Sequence, residues 1–178
     1  VSAHYLIGGC GTVWQMVAEA DRAWHAGAGS WQGRADVNSR SIGIELANPG
    51  DAPFAARQMG ALEGLLKDLL PRYDLPADAV IGHSDMAPGR KRDPGARFDW
   101  RRLARRGLSV WPGPVQAVEA DLRRFEMALW RLGYPAESTV ETFRLRFRPW
   151  ALGAALDGWD VALAEDLVRR LDLGQPSS

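Results

Sequence analysis

The sequence predicts an α/β protein: a mixed central sheet flanked by helices, followed by a small three-helix C-terminal domain. Three observations carry that expectation. Short alternating stretches near the start read as strands, a leucine-rich stretch of helical period separates them from a further apolar strand, and beyond a proline-flanked segment the period is helical throughout. A chain of 178 residues is long enough for one domain of ordinary size and a small second one. We place the boundary at 112/113, giving domains 1–112 and 113–178.

The opening, VSAHYLIGGCGTVWQMV, alternates through Val1, Ala3, Tyr5 and Ile7, turns across Gly8 to Gly11 and resumes as TVWQMV, which reads as a β-hairpin starting at Val1. RAWHAGAGSWQGRADVNSR is too polar and irregular for anything but a long loop, and long ordered loops often carry function. In SIGIEL, Ile42, Ile44 and Leu46 point one way while Ser41, Gly43 and Glu45 point the other. A carboxylate therefore lies on a face cleared of bulky neighbours. Asp51 and Pro53 mark a helix start, and Phe54, Met59, Leu62, Leu65, Leu66, Leu69 and Leu70 recur at helical spacing as far as Pro71. AVIGHSD reads as a short buried strand that delivers His83 to its carboxyl end, where open α/β sheets place ligands.

LSVWPGPVQ, with two prolines around Gly113, marks the domain boundary. VEADLRRFEMALWRLGY, ESTVETFRLRFRPW and WDVALAEDLVRRL then give three amphipathic helices, with stripes that include Leu122, Phe125, Leu129 and Leu132, then Val140, Phe143 and Phe147, then Val161, Leu163, Leu167 and Leu171.

Twenty-two basic residues balance 22 acidic ones, so no overall field draws the chain to nucleic acid or anionic lipid. A single cysteine, Cys10, excludes an internal disulfide framework and leaves the compartment open. No apolar run approaches a membrane span and no signal peptide is visible. The chain opens at Val1 without methionine, which fits processing or a missing upstream segment that carried a targeting signal.

The chemistry concentrates in GHSDMAPGRKRDPG, residues 82–95. Alone, His83 reads as a structural histidine and Asp93 as the start of the turn before Pro94 and Gly95. With Lys91 two residues away and Glu45 on a nearby strand, they become the parts of a metal-dependent hydrolytic site. The metal lowers the pKa of a water, a carboxylate takes its proton, and a cation stabilises the oxyanion. A catalytic zinc takes three protein ligands, and two are visible here.

The runs SAHYLI, RAWHAG, NSRSIGIEL and GHSDMAPGRKRDPG, in that order and spacing, resemble the AmpD-like and AmiD-like zinc N-acetylmuramoyl-L-alanine amidases, relatives of phage amidase lysozymes and peptidoglycan recognition proteins. The resemblance spans roughly residues 1 to 112. It implies hydrolysis of the amide between N-acetylmuramic acid and L-alanine in peptidoglycan or muropeptides, with Zn2+ as cofactor. It further implies His83 and Asp93 as zinc ligands, Glu45 as the catalytic glutamate and Lys91 as its partner. The family's first zinc histidine precedes SAHYLI, so the third ligand is expected upstream of Val1, with His4 or His25 as the lesser alternative. Trp24, His25 and His4 are the substrate-side candidates, His4 as a support of the site; Trp31 is divided between groove and core.

The C-terminal segment resembles the three-helix peptidoglycan-binding domain of some family members. Phe143, Phe147, Arg148, Pro149 and Trp150 match a pattern like FQxxFRP, in which Arg144 replaces the glutamine. Its alternative is a helical appendage packed on the catalytic part. A wall-binding tail implies a periplasmic envelope location over a cytoplasmic one. The competing functional class is a non-catalytic peptidoglycan-binding protein with an incomplete zinc site. A third is a helical interaction module attached to a decayed enzyme.

Overall fold

The fold, seen in a computed structural model, is described for residues 2–174. The expected hairpin is present as β1 (Tyr5–Ile7) and β2 (Val13–Gln15), antiparallel with Leu6 opposite Trp14. The turn is closed by bonds from the Gly8 amide to the Thr12 carbonyl and from the Gly11 amide to the Gly8 carbonyl. Val1 lies outside the described residues; Ser2 to His4 are described and are not strand, so the ladder begins at Tyr5, later than the alternation implies. The third strand, β3 (Ile44–Leu46), pairs in parallel with β1, and the order β2-β1-β3 makes the sheet mixed.

Helix α1 (Ala56–Arg72) lays Met59, Leu62, Leu66 and Leu70 on Ile7, which is fully buried. Gln58 is the polar exception on this face. Its buried amide donates to the carbonyls of Ile7 (2.9 Å) and Ala47 (3.1 Å), so it satisfies acceptors at the ends of both strands. The helix begins later than Asp51 and Pro53 imply: Ala55 occupies the cap and offers no side-chain oxygen. It also runs through Pro71 into its last turn.

The expected strand at AVIGHSD is not formed. Val80 and Gly82 have extended backbones, but no ladder partner is found among the described residues, and His83 opens a one-turn helix, α2 (His83–Met86). The reason is local. The Asp85 carboxylate turns back to accept the Gly82 amide at 2.8 Å, and the Ser84 amide donates to the Asp93 carbonyl at 2.9 Å, so the backbone bonds are spent on a turn. A further short helix, α3 (Trp100–Ala104), follows, with Asp99 accepting the Arg102 amide as its cap.

Past the proline-rich segment the three expected helices are present: α4 (Leu122–Leu132), α5 (Val140–Phe147) and α6 (Gly158–Asp172). They enclose Phe125, Leu129, Phe143, Phe147, Val161 and Leu167. Asp121, Thr139 and Asp157 cap their amino ends. Trp111 packs against this cluster and against the α1 cluster, so the segment between them is part of the packing.

Arg144, the departure from the glutamine pattern, is fully buried. Its guanidinium pairs with Asp160 on α6 and donates to the carbonyls of Ala151 (2.7 Å), Ala154 (2.6 Å) and Ala155 (2.8 Å). One planar fork thus ties the α5–α6 connection to both helices. Removing one partner of a buried pair costs about 3–5 kcal/mol. We expect Arg144→Gln to lower the thermal midpoint by roughly 6 °C or more, read by calorimetry. An unchanged midpoint would show that the pair contributes no stability.

Candidate functional site

Loop 17–43 is folded back on the sheet by two side chains. Asn38, buried, accepts the backbone amides of His25 (3.0 Å) and Ala26 (2.8 Å) through its Oδ1. His4, on the lead into β1 and 1 % exposed, accepts the Gly43 amide at Nδ1 (2.9 Å) and donates from Nε2 to the Asp21 carbonyl (3.0 Å). These partners assign the tautomer, and both ring nitrogens are used. His4 is therefore a support, held edge-on to His25 with ring centroids 5.6 Å apart.

The glycine in SIGIEL has a different reason from the open face expected of it. A Cβ at Gly43 would fall 2.3 Å from Cγ of His25, so the glycine makes room for the imidazole itself. His25 is held beside the lead into β3, two residues before Glu45. Its Nε2 is buried and has no partner among the described residues. Burial, then the neighbouring His4 ring, hold its pKa below the ordinary histidine value, so the ring is neutral at neutral pH.

His83 and Asp93 meet. His83 Nδ1 lies 2.9 Å from Asp93 Oδ2, while His83 Nε2 lies 2.7 Å from the Ala26 carbonyl. A carbonyl only accepts, so Nε2 carries the proton. Arg90 donates to the same carbonyl at 2.7 Å and also to that of Ala28. In the neutral ring, Nδ1 then presents a lone pair to a carboxylate oxygen, an arrangement that only a proton or a cation between them stabilises. When Nδ1 also carries a proton it donates to Asp93, and that hydrogen bond is the first cause of the depressed Asp93 pKa; burial raises it, and Lys91 adds a small downward push. Gly82 permits this approach, because a Cβ there would sit 2.8 Å from Pro94 Cδ.

The donors fit a divalent metal in type and in the orienting carbonyl behind His83. Among the described residues no third histidine, cysteine or carboxylate converges with the pair. His4 has no nitrogen left, whereas His25 Nε2 is free of partners.

Glu45 projects from β3, exposed, opposite Leu6 in the β1 register, and makes no ion pair among the described residues. Lys91 is half-buried, its backbone amide bonded to the Ala87 carbonyl at 3.0 Å. Neither is hydrogen-bonded to the His83–Asp93 pair. Trp24 is 60 % exposed with the Arg22 guanidinium 4.1 Å over its ring, so it is a surface aromatic. Trp31 instead packs edge-on against Tyr134 at 5.1 Å, in the seam with the C-terminal helices.

Sequence reasoning missed Asn38, Arg90 and, above all, Asp85. The Asp85 carboxylate is fully buried two residues after His83 and has three donors: the Gly82 amide, the Tyr134 hydroxyl (2.9 Å) and the Arg146 guanidinium (2.8 Å). Arg146 also donates to Ser109 and to the Val80 carbonyl, and stacks over Trp100 at 4.1 Å. Burial, then the Asp85 charge, push the Tyr134 phenol well above its ordinary pKa, so it stays a donor. The only available signal was Asp85's place three residues after Gly82, a capping spacing.

The chain belongs to the N-acetylmuramoyl-L-alanine amidase family, whose model matches residues 1–96. The N-acetylmuramoyl-L-alanine amidase AmiD of Escherichia coli K12 is 35 % identical over 205 residues, covering 96 % of this chain and 74 % of AmiD. The 1,6-anhydro-N-acetylmuramyl-L-alanine amidase AmpD of Haemophilus influenzae is 44 % identical over 103 residues, 57 % of this chain and 56 % of AmpD. The chain thus spans about half the length of that relative. A solved structure of E. coli AmiD, in complex with anhydro-N-acetylmuramic acid-L-Ala-D-gamma-Glu-L-Lys, superposes with a TM-score of 0.88 at 33 % identity, covering 96 % of this chain and 80 % of that one. The mixed sheet with flanking helices is the AmiD fold, C-terminal helices included.

The depressed His25 pKa has a testable sign. The folded ring resists protonation more than the unfolded one, so this contribution to stability is complete above about pH 6.5. It is lost as pH falls from there through the folded pKa. Ring NMR titration is expected to place the His25 midpoint below that of a free histidine, and in Asn38→Ala, which loosens the loop, to move it upward. A wild-type midpoint at or above 6.5 would contradict the burial described here.

Proposed function

We propose that this chain hydrolyses the amide between N-acetylmuramic acid and L-alanine in peptidoglycan or its soluble fragments. The observation that carries the reading is the His83–Asp93 pair. Its 2.9 Å approach, with Nε2 committed to the Ala26 carbonyl, leaves a position between an imidazole lone pair and a carboxylate that suits a cation. His83 and Asp93 would hold a zinc ion, with His25 Nε2 or a donor outside residues 1–178 as the third ligand. Zinc, when bound, supplies Lewis-acid activation of water and carbonyl.

The chain's own residues do the rest. Glu45, free of ion pairs among the described residues and exposed on β3, accepts the proton of the attacking water. It delivers that proton to the alanine nitrogen as the C–N bond breaks, giving a carboxylic acid on the muramic acid lactyl group and a free amine on the peptide, and the acid's proton then passes to the amine. Lys91 places its ammonium against the oxyanion that forms on the carbonyl. His25 and Trp24 flank the sugar and the first residues of the peptide, and His4 fixes the His25 ring. The helical tail from about residue 113 holds the enzyme to its polymer, which suits the cell envelope. No helix among the described residues is long and apolar enough to cross a membrane.

For zinc-loaded protein carrying the upstream strand, Glu45→Gln is expected to lower kcat on a soluble muropeptide by at least about a hundredfold, with metal content unchanged. Turnover at the wild-type rate would remove Glu45 from the mechanism. Metal analysis of residues 1–178 beside the extended chain bears on the third donor. Weak zinc in the shorter chain and stoichiometric zinc in the longer supports an upstream ligand, whereas tight zinc in both assigns that place to His25.

A further inference from the structure

A groove of about 1250 Å3 runs between the segment following Asp93 and the C-terminal helices, away from Glu45 and His83. One wall, from residue 96 through α3, presents Arg97, Arg101 and Arg105. All three are exposed, and none makes an ion pair among the described residues. The facing wall presents Trp150, 74 % exposed, and Trp159. The acidic side chain lining the groove, Asp99, is occupied in capping α3. In a chain of zero net charge this is a local concentration of unneutralised guanidinium groups facing exposed indoles.

Each feature offers contacts that a bound ligand can use. Indole faces left in water lose the contacts that large aromatics otherwise make. Three guanidinium groups close together repel one another, and each carries a planar fork of donors matched to a carboxylate. The volume exceeds the 300–1,000 Å3 typical of small-ligand pockets and suits a stretch of polymer. We propose that this groove is an accessory binding site for a carboxylate-bearing glycan strand. Sugar rings lie on Trp150 and Trp159, and carboxylates of attached peptide stems meet Arg97, Arg101 and Arg105. The inference rests on the amidase reading for the identity of the polymer. The muropeptide held by AmiD, a sugar joined to a peptide that contains a glutamyl residue, has both of these chemical features. A nucleic acid backbone fits less well, since specific and non-specific binders commonly neutralise more phosphates than three arginines can.

The groove is lined by none of Glu45, Lys91, His83 or Asp93, so it is a site separate from the one that performs hydrolysis. Binding here is independent of the residues that perform hydrolysis, so the enzyme stays on the strand between turnovers.

The test uses the full chain and purified sacculi, with dissociation constants from sedimentation. Trp150 and Arg101 are both exposed, so their replacement leaves the core intact. Trp150→Ala combined with Arg101→Gln is expected to raise Kd at least about tenfold. Blocking the sacculus carboxylates as methylamides should weaken wild-type binding to a similar extent. Wild-type affinity in the double variant, indifference to carboxylate blocking, or a single-stranded oligonucleotide that displaces sacculi at lower concentration would each overturn the proposal. Cleavage of soluble muropeptide by wild-type protein shown by metal analysis to hold stoichiometric zinc, measured separately, distinguishes the two readings. Binding without cleavage overturns the amidase reading and leaves the groove standing; cleavage with groove-independent binding does the reverse.

Discussion

A single buried carboxylate organises the chemistry-bearing half of this molecule. Asp85 has no access to water, and an isolated charge in such a place would be strongly unfavourable. It is sustained because three donors from three separate segments converge on it: the Gly82 amide, the Tyr134 hydroxyl and the Arg146 guanidinium. The same bonds dictate the backbone around His83. By capturing the Gly82 amide, Asp85 turns an apolar stretch away from the sheet and into a one-turn helix. That turn brings the His83 ring to the Ala26 carbonyl on one side and to Asp93 on the other. The placement of the candidate metal ligands is thus coupled to α5 and to the turn after α4, elements more than forty residues further along the chain.

The opposite side of the site follows the same logic at smaller scale. Asn38 holds the Ala26 backbone, and Ala26 in turn gives its carbonyl to His83 and Arg90. His4 holds Gly43, and Gly43 leaves space for His25. In each case a buried polar side chain satisfies main-chain groups of an irregular loop that has no ladder to satisfy them. The loop is therefore ordered by side-chain hydrogen bonding, and its functional groups have fixed tautomers and orientations. Exposed Glu45 contrasts with these, since among the described residues no side chain is hydrogen-bonded to it.

Much of this was legible in the residues, and the exceptions share a cause. The hairpin around Gly8–Gly11, the strand carrying Glu45 and the three C-terminal helices all announce themselves by period, since burial of one face is written locally. His83 and Asp93 were legible as a pair because their motif keeps them ten residues apart. AVIGHSD misled because its apolar run has the composition of a strand, while its conformation is decided by Asp85, whose partners Tyr134 and Arg146 lie far away in sequence. Gly43 was correctly singled out for the wrong reason: the alternation showed a missing side chain but not the imidazole that fills the gap. The α1 start was misplaced at Asp51 because a capping residue was available in sequence, whereas the backbone enters the helix at Ala55 with no side-chain cap. Arg144 read as a departure from a pattern, and its value as a buried fork to Asp160 depends on α6, which the motif does not include.

If Asp85 joins α2 to the C-terminal helices as described, the two must open together. Native-state hydrogen exchange of the zinc-free chain measures this directly, because it resolves the opening free energy of individual amides. The amides of Gly82 and Ser84 are expected to exchange at the same free energy as the core amides of α5, and to respond identically to low denaturant. Exchange of Gly82 and Ser84 through a smaller opening, with α5 still fully protected, would show that the site helix stands without the helical segment and that Asp85 does not couple them.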